Sequence, residues 1–154
     1  MIRLEETIVV STPLGRTLFE QVQPVSILKG DRLQLKLQPT LGETLAGTPG
    51  VSSTYFGPGS SRPIIRGLDG DRIRVLQNGV NTIDASATSV DHSVSLDPVL
   101  ARSIEVVRGP ATLLYGSNAI GGVVNVIDKR IPDERIDHLI GGNVSGKYGS
   151  VNTE

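Results

Sequence analysis

The sequence predicts an α+β domain in which a small mixed β-sheet is joined by short helices and long loops. Three observations carry this. Short β-branched or apolar runs of strand length stand at 24–28, 63–66, 72–77, 103–107 and 122–127, each bounded by polar or turn residues. Helix signals between them last only one or two turns, near 41–46, 98–102 and 111–115. The chain also carries 18 glycines and nine prolines against three tyrosines and two phenylalanines, which describes a loop-rich core without large anchors.

In chain order, Thr7–Ser11 is a β-prone segment behind two acids, broken by Pro13 and Gly15. On its residues alone it reads as an edge strand or a frayed end, with strand addition to a partner's sheet as the sharper alternative. Pro24–Leu28 reads as a strand. After Lys29-Gly30-Asp31, the residues Leu33, Leu35 and Leu37 alternate, yet Gly30-Asp31 equally suits a helix start, and both readings stay open. Thr40-Leu41-Gly42-Glu43 is a capping box, hydroxyl and carboxylate each satisfying an orphan amide, and Gly47 closes the helix it opens. Ser52–Arg62 reads as a long loop, Pro63–Gly67 as a strand ending in a glycine turn, and Arg72–Leu76 as a strand. Asn78-Gly79 marks a hairpin turn. A second polar loop, Asn81–Leu96, precedes a short helix capped by Asp97 with Pro98 at its first position. Two loops of this length are unusual in so small a domain and point to function or disorder.

The chain is organised around SIEVVRGPATLLYGSNAIGGVVNVID at 103–128: a buried strand, a sharp turn at Arg108-Gly109-Pro110, a helical turn, a glycine-rich loop and a second strand. This string closely resembles the pattern closing the plug domain of TonB-dependent outer-membrane receptors. Pro49-Gly50-Val51 and IIRGLDGDRIRVLQNGV are similar to other parts of the same domain. The resemblance implies an arm at 1–23, a plug at 24–137 and the start of a truncated β-barrel at 138–154. The alternation of Leu139–Tyr148 suits a first barrel strand as well as a half-buried soluble one, and as a lone barrel strand it is expected to be disordered or mispaired.

Composition limits the rivals. A net charge of −1 argues against a sequence-independent grip on nucleic acid. There is no cysteine, hence no thiolate chemistry, and no apolar run reaches the roughly 18–20 residues of a spanning helix. Met1–Glu6 lacks the apolar region of a signal peptide, and the resemblance implies that one has been removed. Gly141–Lys147 spells the core of a phosphate-binding loop, but Tyr148 stands where the magnesium-holding hydroxyl belongs. No nucleophile arrangement is interpretable, so the chain is expected not to be an enzyme and to carry no cofactor.

Further expectations come from the resemblance. It implies that Glu6, Thr7, Ile8, Val9, Val10 and Ser11 (about 6–12) form a TonB box that pairs with the periplasmic protein TonB. It implies a 22-stranded barrel around the plug in the outer membrane of a Gram-negative bacterium. Substrate would meet outward loops carrying Tyr55, Phe56, Ser89, Asp91 and His92. Arg66 and Arg108 would lie at the plug–barrel interface and meet barrel acids, with Glu105 spaced to pair with Arg108 locally. SVDHSVSLDP and VVNVIDKRIP are similar to the zinc-type branch, which implies Asp91 and His92 as metal ligands completed by barrel histidines. A solvated loop histidine is the plain alternative. The cargo expected is zinc, with siderophore or haem next, and a free-standing periplasmic binding or signalling module as the rival outside the receptors.

Overall fold

The computed structural model describes residues 24–130, together with Val144 and Gly146. The TonB-box expectation at residues 6–11 and, apart from Val144 and Gly146, the barrel-strand expectation at 138–154 therefore lie outside the described residues. Along the chain the elements are β1 (Val25–Lys29), α1 (Gly30–Lys36), α2 (Leu41–Leu45), β2 (Val51–Ser53), β3 (Pro63–Ile65), β4 (Ile73–Gln77), β5 (Val80–Asn81), β6 (Ala101–Val107) and β7 (Gly122–Asp128), with 3-10 turns between them.

The two longest strands, β6 and β7, are the centre of a five-stranded sheet of order β1-β6-β7-β4-β5. All neighbours are antiparallel except β4 and β7, which run parallel, so the sheet is mixed as expected. Cross-strand partners share a face. The register therefore places Ile104, Val106, Val124 and Val126 on one side, and Glu105, Val107, Val123, Asn125 and Leu76 on the other. The first side is covered by α1, α2 and the β2–β3 hairpin, through Leu33, Leu41, Leu45, Val51 and Ile65. The second is closed by 3-10 turns at Pro110–Tyr115 and Ser117–Ala119, with Leu76, Val107, Ala119 and Val123 in the contact.

Several expectations change. The open choice at 30–37 resolves as helix: Gly30 takes φ +53, turning the chain directly from β1 into α1, and Leu33 is the helix residue that reaches the core. The 63–66 strand does not join the main sheet. It pairs with Val51–Ser53, a strand that runs into the start of the stretch assigned to a loop, as a separate two-stranded sheet. Three residues, two of them serine, give too little periodicity to show in the sequence. The helix expected at 98–102 is a single 3-10 turn, Pro98–Leu100, and β6 begins at once at Ala101. Its cap is as expected, Val99 N donating to Asp97 Oδ1 at 2.9 Å. The helix at 111–115 is likewise 3-10, Pro110–Tyr115. At α2 the hydroxyl of Thr40 accepts from Glu43 N at 3.3 Å as the capping box requires. The Glu43 carboxylate, however, takes the Thr40 hydroxyl at 2.8 Å instead of an amide, and Ser61 Oγ also hydrogen-bonds Thr40 Oγ1.

The Asn78-Gly79 turn has φ of +51 and +80, the pairing of a type I′ hairpin. It is pinned from behind by β7: Gly79 N donates to Asn125 Oδ1 at 2.9 Å, and Asp128 N to Asn78 Oδ1 at 3.1 Å. Burial pushes the Asp128 carboxyl up, but the Arg130 guanidinium and amide bonded to it outweigh this and hold it below the usual carboxylate range.

Two predictions follow from this packing. A Cβ at Gly42 would stand 2.7 Å from Arg62 C, Ser53 Oγ and Ser61 Oγ, where α2 lies against the hairpin. Gly42→Ala should therefore lower stability by about 1–3 kcal/mol in denaturant unfolding, despite alanine's better helix propensity. For Asp128 the folded pKa lies below the unfolded value of about 3.9, so its contribution is present above that pH and is lost as pH falls through the folded value. Asp128→Asn should flatten the acid limb of the stability–pH curve and leave its shape near neutrality unchanged.

Candidate functional site

Two groups of residues are assembled at the two ends of the β2–β3 hairpin. At the tip, the chain between the strands folds back through Phe56 N to Ser60 O, at 3.1 Å, and Ser60 N to Gly57 O, at 3.0 Å. Ser60 Oγ then donates to Asp91 O at 2.8 Å, tying the hairpin tip to the second long loop. That loop is held from below by Arg62, whose Nη1 donates to Ser86 O at 2.6 Å and whose Nη2 pairs with Asp69 at 2.8 Å. Asp84 supports it from within by accepting from Ser86 N and Ser95 N. The result is one surface carrying Tyr55, Phe56, Ser89, Asp91 and His92. Tyr55 and Phe56 are 67% and 63% exposed, a large apolar display for side chains held on an anchored loop.

Within this surface Asp91 Oδ1 accepts from Ser89 Oγ and lies 2.8 Å from His92 Nδ1. The Ser89 bond first, and then the His92 bond, hold the Asp91 carboxyl below its ordinary range. Among the described residues no group of three or more His, Cys, Asp or Glu side chains is placed to hold a metal ion. The pair is thus a local hydrogen-bonded motif on an exposed loop.

At the base of the hairpin the three sequence signatures meet. Arg66 N donates to Gly50 O at 3.0 Å, joining the Ile-Arg-Gly strand to the Pro-Gly-Val turn. Arg108 reaches the same turn through its guanidinium, bonding Pro49 O, and also bonds Ser26 Oγ and, at 3.3 Å, Pro24 O. Its own amide donates to Pro24 O at 3.2 Å. Arg108 is 6% exposed, and burial followed by the neighbouring Arg66 charge lowers its pKa. Arg66, by contrast, is exposed and adopts φ +52. The two arginines expected to act alike therefore sit in different settings, one enclosed by main-chain carbonyls and the other facing outward.

The expected local pairing of Glu105 with Arg108 gives way to a different arrangement. Alternation along β6 directs Glu105 to the Val107 face, whereas Arg108 bonds on the opposite side with Ser26. Glu105 instead accepts from Asn125 Nδ2 at 3.3 Å in the interior. Sequence reasoning missed Arg62, Ser60 and the acceptors Pro24 and Pro49. Of the bonds described for them, all but the one from Arg62 to Asp69 end on main-chain oxygens, which carry no residue-type signal.

Comparison with known proteins follows the same lines. The model of the TonB-dependent receptor plug domain matches residues 17–123. The chain is 34% identical over 118 residues to the hemin receptor of Yersinia pestis, covering 76% of this chain and 17% of that protein. It is 32% identical over 136 residues to the vitamin B12 transporter BtuB of Photobacterium profundum, covering 84% and 22%. The siderophore receptor PirA from Pseudomonas aeruginosa superposes with a TM-score of 0.54 at 31% identity, over 72% of this chain and 19% of that one. The chain thus spans roughly a fifth of the length of these relatives. The zinc-type branch suggested by the sequence is not among the relatives named here.

Different settings for the two arginines predict different costs. Arg108→Lys keeps the charge but loses the fork that serves three acceptors, and should cost about 2–3 kcal/mol in denaturant unfolding. Arg66→Ala, at an exposed position, should stay within about 0.5 kcal/mol of the parent.

Proposed function

The chain belongs to the family of TonB-dependent receptor plug domains, and from that premise we propose that it is the plug of an outer-membrane receptor for an organic metal chelate of the siderophore or haem kind. The observation that carries this reading is the bond from Ser60 to Asp91, which joins hairpin tip and loop into one surface with Tyr55 and Phe56 exposed on it. Aromatic faces suit a large conjugated or aromatic ligand, and tetrahedral capture of a bare ion needs more ligands than the described residues bring together. The relatives support the same class: they are named for hemin, vitamin B12 and siderophores, all bulky organic molecules that carry or capture a metal. A bare zinc ion fits this surface less well, and Asp91 and His92 then serve as polar contacts to the chelate.

In this reading the barrel encloses the plug, Arg66 meets an acid of its wall, and residues 6–11 pair as a strand with TonB in the periplasm. The base of the hairpin supports the polarity of the arrangement. Pro24, the first residue after the arm, is held by Arg108 at the end of the hairpin opposite the aromatic tip. A pull on the arm therefore arrives at the Arg108 end, away from the chelate.

The test uses the full receptor carrying this domain, expressed in a strain starved of iron. Uptake of haem or of a ferric siderophore should depend on it and fall at least fivefold for Tyr55→Ala with Phe56→Ala. Deleting residues 6–11 should abolish uptake while leaving chelate binding at the cell surface intact. Uptake of free zinc without uptake of either chelate would overturn the proposal.

A further inference from the structure

The Asn78-Gly79 dipeptide makes a turn, and it is also chemically reactive. Of the chain's asparagines only Asn78 precedes a glycine. With no side chain on the following residue, its main-chain nitrogen is free to approach the asparagine amide carbon, and asparagine is a thermolabile residue. Asn78 is exposed, so water reaches it. In an unfolded chain such a pair closes on itself. Gly79 N forms a bond to Asn78 Cγ, the bond from Cγ to the side-chain nitrogen breaks, and ammonia leaves with the proton that Gly79 N gives up. Water then opens the succinimide ring at either of its carbonyls, leaving aspartate or isoaspartate.

In the folded chain both reacting groups are engaged. Gly79 N, the nucleophile, donates to Asn125 Oδ1 at 2.9 Å, and Asn125 is fully enclosed. Asn125 is held in its turn: it lies on β7 opposite Leu76, and its Nδ2 donates to Glu105 Oε2 at 3.3 Å, which leaves Oδ1 for the hairpin. The electrophile is fixed as well. Asn78 N donates to Val126 O at 2.9 Å, and Asn78 Oδ1 accepts from Asp128 N at 3.1 Å. The turn itself opposes ring closure. Closure needs the asparagine Cβ and the next nitrogen on the same side of the Cα–C bond. The left-handed backbone of Asn78, φ +51 in a type I′ turn, sets them on opposite sides. The bond from Asp128 N polarises the side-chain carbonyl, so what the fold withholds is the approach of the two groups and not their reactivity.

We propose that Asn78 is a site of spontaneous deamidation that the attachment of the hairpin to β7 keeps shut, with Asn125 as the residue that withholds Gly79 N from the attack. Conversion is governed by release of the turn and not by exposure of Asn78. Either product sets a new carboxylate beside Asp128. Isoaspartate also routes the main chain through Cβ, and the added atom breaks the Gln77–Val80 pairing that leads the chain into the second long loop. The property belongs to this chain by itself and does not rest on the receptor reading.

The test follows the 154-residue chain by mass spectrometry in mildly alkaline buffer, with and without guanidinium chloride above its unfolding transition. Cleavage after Arg74 and Arg102 yields one peptide holding Asn78 and Asn81, which fragmentation tells apart. Asn78 should convert at least tenfold more slowly in the folded chain than in the unfolded one. Equal rates would overturn the proposal. In the unaltered chain the Gly79 amide should also exchange with solvent at least tenfold more slowly than its intrinsic rate, since Asn125 Oδ1 is its acceptor. An unprotected Gly79 amide would contradict the role given to Asn125. Asn125→Leu removes that acceptor. In this variant Asn78 should convert at least fivefold faster than in the parent, beyond what the unfolded fraction in its own denaturant curve supplies. A rate fully explained by that fraction would refute Asn125 as the gate, and the two measurements on the unaltered chain decide the matter should the variant fail to fold.

Discussion

The guanidinium of Arg108 is the contact on which the arrangement depends. It bonds Pro24 O, Pro49 O and Ser26 Oγ, and so fastens the start of β1, the turn before β2 and the end of β6 at one place. A planar group with five donors in a fixed fork can serve three acceptors on two other chain segments, and an ammonium cannot do so with the same geometry. The cost of burying the charge is offset by these bonds to neutral oxygens, while the nearby Arg66 charge opposes it. Removing one partner would leave buried carbonyls without donors, which is why such a hub is expensive to disturb.

From that hub the hairpin acts as a short strut. Its base is tied to Arg108 and Arg66, and its tip is tied by Ser60 to the loop bearing Asp91 and His92. The strands between are only three residues each, about 10 Å, and α2 is pressed against them across Gly42. In the proposed receptor reading, a ligand at the tip and a pull at the arm would bear on the hairpin from opposite ends.

Much of the fold was legible because its signals are local. Asn78-Gly79 demands positive φ at both positions, Asp97-Pro98 caps and starts a turn, and the β-branched runs of β6 and β7 can only be buried strands. Where local signals are weak, sequence reading failed. Val51–Ser53 is a strand because it meets Pro63–Ile65, farther along the chain, and nothing in its own composition says so. Glu105 and Arg108 looked like partners from their spacing, but strand alternation sends them to opposite faces. At the candidate site, the resemblance picked out Tyr55, Phe56, Asp91 and His92, and the bond from Ser60 to Asp91 O ties the two segments that carry them. The metal reading leaned on a dipeptide, whereas a metal site needs ligands converging from several segments. The bonds that assemble the surface end on main-chain oxygens of Asp91 and Ser86, which any residue would supply.

The most direct test of the account is a double-mutant cycle between Ser26 and Arg108. Unfolding free energies would be measured for the parent, Ser26→Ala, Arg108→Gln and the pair. If the guanidinium holds β1 as described, the two changes should be coupled by about 1–2 kcal/mol. Additivity to within about 0.3 kcal/mol would contradict it, and would mean that the segments meeting at Arg108 are held together by something else.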